Sequence, residues 1–118
     1  YLWLDQEAQL DAVTALSGSG PAYVFYFIEA MIQAGTDMGL SREQAHQLAV
    51  GTFVGASALA REATEPPEVL RARVTSKGGT TYAALSAMEQ GGIKEKFMHA
   101  MQAARLRAIE MGDEFGTA

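Results

Sequence analysis

This sequence contains no cysteine, which excludes a disulfide framework and thiol chemistry and is compatible with a cytoplasmic location. It has only two histidines, His46 and His99, and no cysteine cluster, so no metal site is expected. Charge is scarce: Asp, Glu, Lys and Arg make up 19% of the residues, and the net charge is −5 with no run of Lys or Arg. Nucleic acid and anionic membranes are therefore not expected partners. The charge-free apolar stretch Leu48–Ala60 falls short of the roughly 20 residues that a membrane span needs. No signal peptide is expected, because Tyr1–Leu16 carries acids where a basic start would stand and has no long apolar centre. The sequence opens on Tyr1 rather than Met, and it reads as a fragment or an excised domain.

What is present is mostly apolar. Hydrophobic residues make up 48% of the 118, enough for one domain, residues 1–118, with a real core. With so little charge to cover its surface, such a domain is expected to hide part of it against a partner. No segment alternates polar and β-branched residues, so the expected fold class is all-α. Leu10, Val13 and Leu16 at helical spacing predict a helix over Asp5–Leu16, broken by a loop at Ser17-Gly18-Ser19-Gly20. Pro21 suits the first position of a second helix running to about Met38, with Gly39 as its C-terminal cap. Ser41 and Gln44 make a candidate capping box for a third, which ends near Glu62 before Pro66-Pro67. A short helix over Glu68–Arg73 follows, then one from Thr80 to Gln90 that Gly91-Gly92 ends. In the last, Ile93–Met111, the side chains of Ile93, Phe97, Met101, Ala104, Ala108 and Met111 share a face.

Two of these helices are apolar all round. Tyr23–Ile28 is one unbroken run, interrupted next by Glu29, and Leu48, Val50, Phe53, Val54 and Leu59 do the same among alanines. A helix apolar on every side must be buried on every side. A domain of this size cannot easily enclose two, and an interlocked homodimer solves that problem. Gly51 and Gly55 form a G-x-x-x-G pair, which predicts a close helix–helix approach in a soluble core.

One segment carries chemistry that packing does not require. In Ser76-Lys77-Gly78-Gly79-Thr80-Thr81-Tyr82, two glycines and three hydroxyls stand at a helix start. The first amides of a helix have no intrahelical acceptor, and the helix dipole adds positive charge there. Gly78 and Gly79 allow close approach to the backbone, Ser76, Thr80 and Thr81 offer hydroxyls, and Lys77 adds charge. The set suits a carboxylate or phosphate; the plainer reading is a capped helix after a glycine turn. It is not a P-loop, since the G-x-x-x-x-G-K-[ST] order is absent. Ser17-Gly18-Ser19-Gly20-Pro21 contains G-x-G, but Tyr23 stands in the third glycine's place and no strand precedes it, so it is no dinucleotide fingerprint. No Ser-His-Asp set or carboxylate pair is present, so any catalysis uses no conspicuous acid or base.

Asp11-Ala12-Val13-Thr14-Ala15-Leu16-Ser17-Gly18-Ser19-Gly20-Pro21-Ala22-Tyr23, followed at its spacing by Val74-Thr75-Ser76-Lys77-Gly78-Gly79-Thr80-Thr81, resembles the C-terminal domain of Δ1-pyrroline-5-carboxylate reductase. The resemblance runs from about Leu4 to Met111; many members of that family have Pro where this chain has Lys77. It implies an all-α dimerisation domain that intertwines with its twin, with dimers able to assemble into a decamer. It also implies an N-terminal Rossmann domain, not present in these residues, that holds NADPH or NADH. The isolated domain would then lack its hydride donor. The implied reaction is reduction of 1-pyrroline-5-carboxylate to L-proline. The resemblance puts the substrate carboxylate on Ser76, Gly78, Gly79, Thr80 and Thr81, with the Thr81 hydroxyl as the proton relay near the imine nitrogen. Gly18, Ser19, Gly20 and Pro21 would border the pocket beside the nicotinamide. Two readings compete: a non-catalytic helical oligomerisation module, and the helical domain of another Rossmann-type dehydrogenase. The second usually needs an inward lysine or similar acid/base, and the inward faces identified here carry none.

Overall fold

A computed structural model describes residues Glu7–Gly116, and all regular structure within them is helical. The helices are α1 (Glu7–Val13), α2 (Gly20–Asp37), α3 (Arg42–Glu62), α4 (Pro67–Arg73), α5 (Thr80–Gln90) and α6 (Ile93–Gly116), with a π turn over Thr14–Gly18 between the first two. Asp5 and Gln6 of the first predicted helix lie outside the described residues. No helix among the described residues is long and apolar enough to cross a membrane.

The chain divides into two units, Tyr1–Val24 with Glu89–Ala118, and Phe25–Met88. In the first, α1, the π turn and α6 pack on one another. Ala15, 4% exposed, is buried there, and the Tyr23 ring meets Phe97 edge-on at 5.4 Å between centroids. The predicted inward stripe of α6 is half-buried at Phe97, Met101, Ala104 and Ala108, while Ile93 and Met111 at its ends are exposed. The helix also runs past Met111, to Gly116. Arg107 bridges to Glu110 at 3.1 Å and Glu114 at 3.4 Å, so polar pairs continue it after the apolar spacing ends.

The second unit holds a small core of Ile32, Ala45 and Ala49, with Ile28 against it. Local chemistry makes the bend that brings these residues together. Gly39, at φ 107°, ends α2; its amide donates to the Thr36 carbonyl at 3.0 Å and that of Leu40 to Gly35 at 3.0 Å, a Schellman motif. Ser41 then starts α3 with the predicted capping box: the Gln44 amide donates to Ser41 Oγ at 3.1 Å, and the Ser41 amide to Gln44 Oε1 at 2.9 Å. The close approach of the two helices falls at Gly35, where a Cβ would stand 3.1 Å from that of Ala45. Nothing lies within 4 Å of a Cβ built on Gly51 or Gly55. The G-x-x-x-G pair therefore faces outward in one chain, and the expectation of a core contact at that pair is not met within it.

Little of the apolar content is covered. Among the described residues only Ala15, Ile32, Ala45 and Ala49 are buried, and no large side chain is fully enclosed. Tyr26 of the all-apolar run is 70% exposed, Phe25 63% and Leu59 on α3 66%. The chain presents 9581 Å² to solvent, about half as much again as the roughly 6,200 Å² expected of a 12.6 kDa protein that covers its own core.

Candidate functional site

The segment 76–82 forms one tight structure. The Gly79 amide donates to the Ser76 carbonyl at 3.0 Å, closing a four-residue turn. Gly78 has φ 77° while no non-glycine residue among the described residues has a positive φ, the pattern of a type II turn with Lys77 at its second position and Gly78 at its third. Glycine is needed at that third place, and the second takes proline as readily as lysine. Gly79 is constrained differently: its Cβ would stand 2.7 Å from Ser76 Oγ and 3.2 Å from the Ser76 carbonyl oxygen. The Ser76 hydroxyl is folded over Gly79 in the space a side chain would fill.

The Gly79 carbonyl accepts from the Ala83 amide at 3.1 Å, so Gly79 caps α5 and the free amides at the helix start are those of Thr80, Thr81 and Tyr82. Ser76, Gly78, Gly79, Thr80 and Thr81 are thus gathered in one turn and helix start. The amide of Gly79 is already used, so that residue serves by its missing Cβ and its capping carbonyl. The threonines here also differ from those elsewhere. Thr14, Thr52 and Thr75 donate their hydroxyls to carbonyls four residues back, at 3.0, 2.7 and 2.6 Å, and Thr36 to one three back at 2.9 Å. Thr80 and Thr81 open their helix and have no preceding turn of α5 to accept. Thr81 is half-buried and Thr80 exposed.

The segment 17–21 belongs to the other unit, and here the structure departs from the predicted loop. Only Ser19 lies between the π turn and α2. The Ser19 amide donates to the Thr14 carbonyl, five residues back, at 2.9 Å. Pro21 interrupts the α ladder just beyond: it has no N–H to give, and its ring excludes the carbonyl four residues before it, that of Ser17. The Ala15 carbonyl, passed over by Ser19, accepts instead from the Tyr23 hydroxyl at 2.6 Å. Sequence reasoning did not single out this tie, and no short-range pattern signals it. Gly20 has open space, with nothing within 4 Å of a built Cβ.

An apolar groove of about 620 Å³ lies in the second unit between the end of α3 and α4, lined by Ala56, Leu59, Ala60, Ala63, Leu70 and Val74. At its edge Arg73 donates to the Glu65 carboxylate at 2.6 Å. That hydrogen bond, with one from the Glu65 backbone amide, holds the exposed carboxyl below its ordinary pKa. His46, His99 and Glu29 are exposed, and no group of three or more potential metal ligands occurs among the described residues.

An all-helical domain with this much uncovered apolar surface defines a class: a helical association domain. The pyrroline-5-carboxylate reductase dimerisation family model matches residues 7–111, and the chain belongs to that family. Pyrroline-5-carboxylate reductase of Pseudomonas aeruginosa is 47% identical over 115 residues, 98% of this chain and 42% of that protein. Pyrroline-5-carboxylate reductase 2 of Bacillus subtilis is 41% identical over 115 residues, 98% of this chain and 41% of that protein. Among solved structures, the Coxiella burnetii enzyme superposes with a TM-score of 0.88 at 42% identity, over 92% of this chain and 40% of that one. The Plasmodium falciparum reductase with NADP bound gives 0.87 at 37% identity, over 92% of this chain and 41% of that one. The chain thus spans about two fifths of the length of the relatives it matches.

Proposed function

We propose that this chain is the dimerisation and substrate-binding part of a cytoplasmic pyrroline-5-carboxylate reductase, which reduces 1-pyrroline-5-carboxylate to L-proline. The observation that carries this reading is the turn and helix start at 76–82, lying inside the family match. The substrate carboxylate accepts from the amides of Thr80 and Thr81 and from the Ser76 hydroxyl, with Gly78 shaping the turn and Gly79 keeping the approach open. The Thr81 hydroxyl orients or relays a proton toward the imine nitrogen; threonine is too weak an acid to supply one unaided. NADPH or NADH, held mainly by a part of the enzyme outside these residues, supplies the hydride when bound. No strand followed by a glycine-rich helix start occurs among the described residues to cradle it. What this chain contributes is position: a small flat acid fixed at its carboxylate, with its imine carbon free on one face. Gly18, Ser19, Gly20 and Pro21 border the pocket near the nicotinamide, and the open space over Gly20 suits close approach of a flat group.

The same reading makes the chain a homodimer, with further assembly of dimers into a decamer. The outward apolar residues of α2 and α3, the small outward pair Gly51 and Gly55, and the apolar groove support it. The test is proline formation from 1-pyrroline-5-carboxylate by the full-length enzyme with NADPH or NADH, beside proline binding to the dimer. Turnover that depends on Thr81 supports the proposal. Dimers that bind no proline at millimolar concentration, in an enzyme without turnover, would leave an oligomerisation module in its place.

A further inference from the structure

Tyr23 stands in neither glycine-rich contact surface, yet it holds one of them in register. A helix that widens by one residue leaves a carbonyl without its usual donor. Here that carbonyl belongs to Ala15, a residue 4% exposed, where water cannot easily replace the lost amide. The Ser19 amide, which an α register would give to Ala15, goes to Thr14 at 2.9 Å. The Tyr23 hydroxyl takes the freed carbonyl at 2.6 Å from eight residues further on. Its ring is held edge-on by Phe97 of α6, the helix that packs against the π turn, so the hydroxyl is fixed from a second side. A hydroxyl from α2, its ring braced by α6, thus meets the carbonyl of the π turn.

We propose that Tyr23 is a positioning residue: its hydroxyl, by satisfying the Ala15 carbonyl, sets the π register of Thr14–Gly18 and with it the placement of Ser19, Gly20 and Pro21. Its bearing on catalysis rests on the reading above that these residues border the pocket. Pro21 cannot bond to the Ser17 carbonyl and leaves the turn before it open to either register; the Tyr23 hydroxyl decides for the π register, and removing it removes that preference. Gly18 and Gly20 impose nothing of their own here. A Cβ on Gly18 would make only an ordinary 3.7 Å contact with Thr14, and one on Gly20 would meet nothing.

The experiment compares Tyr23→Phe, which deletes the hydroxyl, with Phe97→Leu, which weakens the ring contact and keeps it. In the 118-residue chain, NMR scalar coupling across the Ser19 N–H to Thr14 carbonyl bond reads the register directly. The expected result is loss of that coupling in Tyr23→Phe and its retention in Phe97→Leu, with amide protection around Ile32, Ala45 and Ala49 unchanged in both. In the full-length enzyme, Tyr23→Phe should lower kcat about tenfold with little change in KM for 1-pyrroline-5-carboxylate, because the carboxylate seat at 76–81 is intact. An unchanged coupling in Tyr23→Phe overturns the proposal whatever the kinetics do. Loss of protection throughout the chain also overturns it, since Tyr23 would then be general core. If the coupling is lost and kcat stays at the wild-type value, the positioning role stands and the pocket-border reading of 18–21 falls.

Discussion

The two glycine-rich segments look alike on paper and are built on opposite plans. In Ser17–Pro21 the backbone is nearly continuous helix, and its irregularity is absorbed inside the chain by Ser19, Thr14, Ala15 and Tyr23. In Ser76–Thr81 the backbone turns sharply, and its glycines are demanded by local geometry: a positive φ at Gly78 and a hydroxyl lying where a Gly79 side chain would be. One segment ties its amide and carbonyl within the chain; the other leaves the amides of Thr80, Thr81 and Tyr82 without an acceptor in the helix. The lesson is that glycine content alone does not mark a binding loop. What marks it is where the amides beside the glycines point.

Substitutions can break this contrast. The largest effect is expected at Thr81: in the full-length enzyme Thr81→Ala should cut kcat about 10²-fold, with the thermal midpoint within a degree or two of wild type. Wild-type turnover in that variant would remove Thr81 from the mechanism. Gly78→Ala forces a side chain into a φ of 77° and should cost roughly 1–2 kcal/mol in urea denaturation of the chain. Gly79→Ala pushes the Ser76 hydroxyl aside, and steady-state kinetics should show KM for the imine acid rising roughly threefold to tenfold, the worth of one hydrogen bond. Gly20→Ala is the counterpart in the other segment. With nothing within 4 Å, it should hold or raise stability by up to about 1 kcal/mol while lowering turnover if the pocket-border reading is right. A loss of stability there would contradict the open space seen in the chain.

The smallest effect belongs to Glu65 and Arg73. The Glu65 carboxyl is held below its ordinary pKa, first by Arg73. Its contribution is therefore present above the unfolded-state value and lost as pH falls through the folded one. Arg73→Ala should erase that slight acid-side slope in a pH series of melting curves and leave neutral-pH stability almost unchanged, as expected of an exposed pair.

Much of this fold was legible wherever local chemistry decides it. The Ser41–Gln44 box, the stop at Gly39 and the start of α5 at Thr80 all stand where short-range rules put them. Three features were not. The π turn read as a loop because serine and glycine are breakers, whereas the Ser19 amide on Thr14 and the Tyr23 hydroxyl on Ala15 let the helix pass with one widened turn. The close approach fell at Gly35, because the Schellman turn at Gly39 folds α2 back onto the start of α3, a consequence of topology that no G-x-x-x-G pattern carries. The extension of α6 to Gly116 is accompanied by Arg107 reaching Glu110 and Glu114, polar pairs that an apolar period does not register. For the candidate site, the residue types at 76–81 pointed to a glycine turn and a helix start; that the Gly79 amide is already engaged could be learned only from the turn.

The account rests most heavily on association, since the apolar faces left uncovered in one chain, Phe25, Tyr26 and Leu59 among them, have to be covered by another. Sedimentation equilibrium of the 118-residue chain tests this directly. The account predicts twice the chain mass of 12.6 kDa, or a larger even multiple, with full helical content at micromolar concentration. A stable, fully helical monomer at that concentration would contradict it.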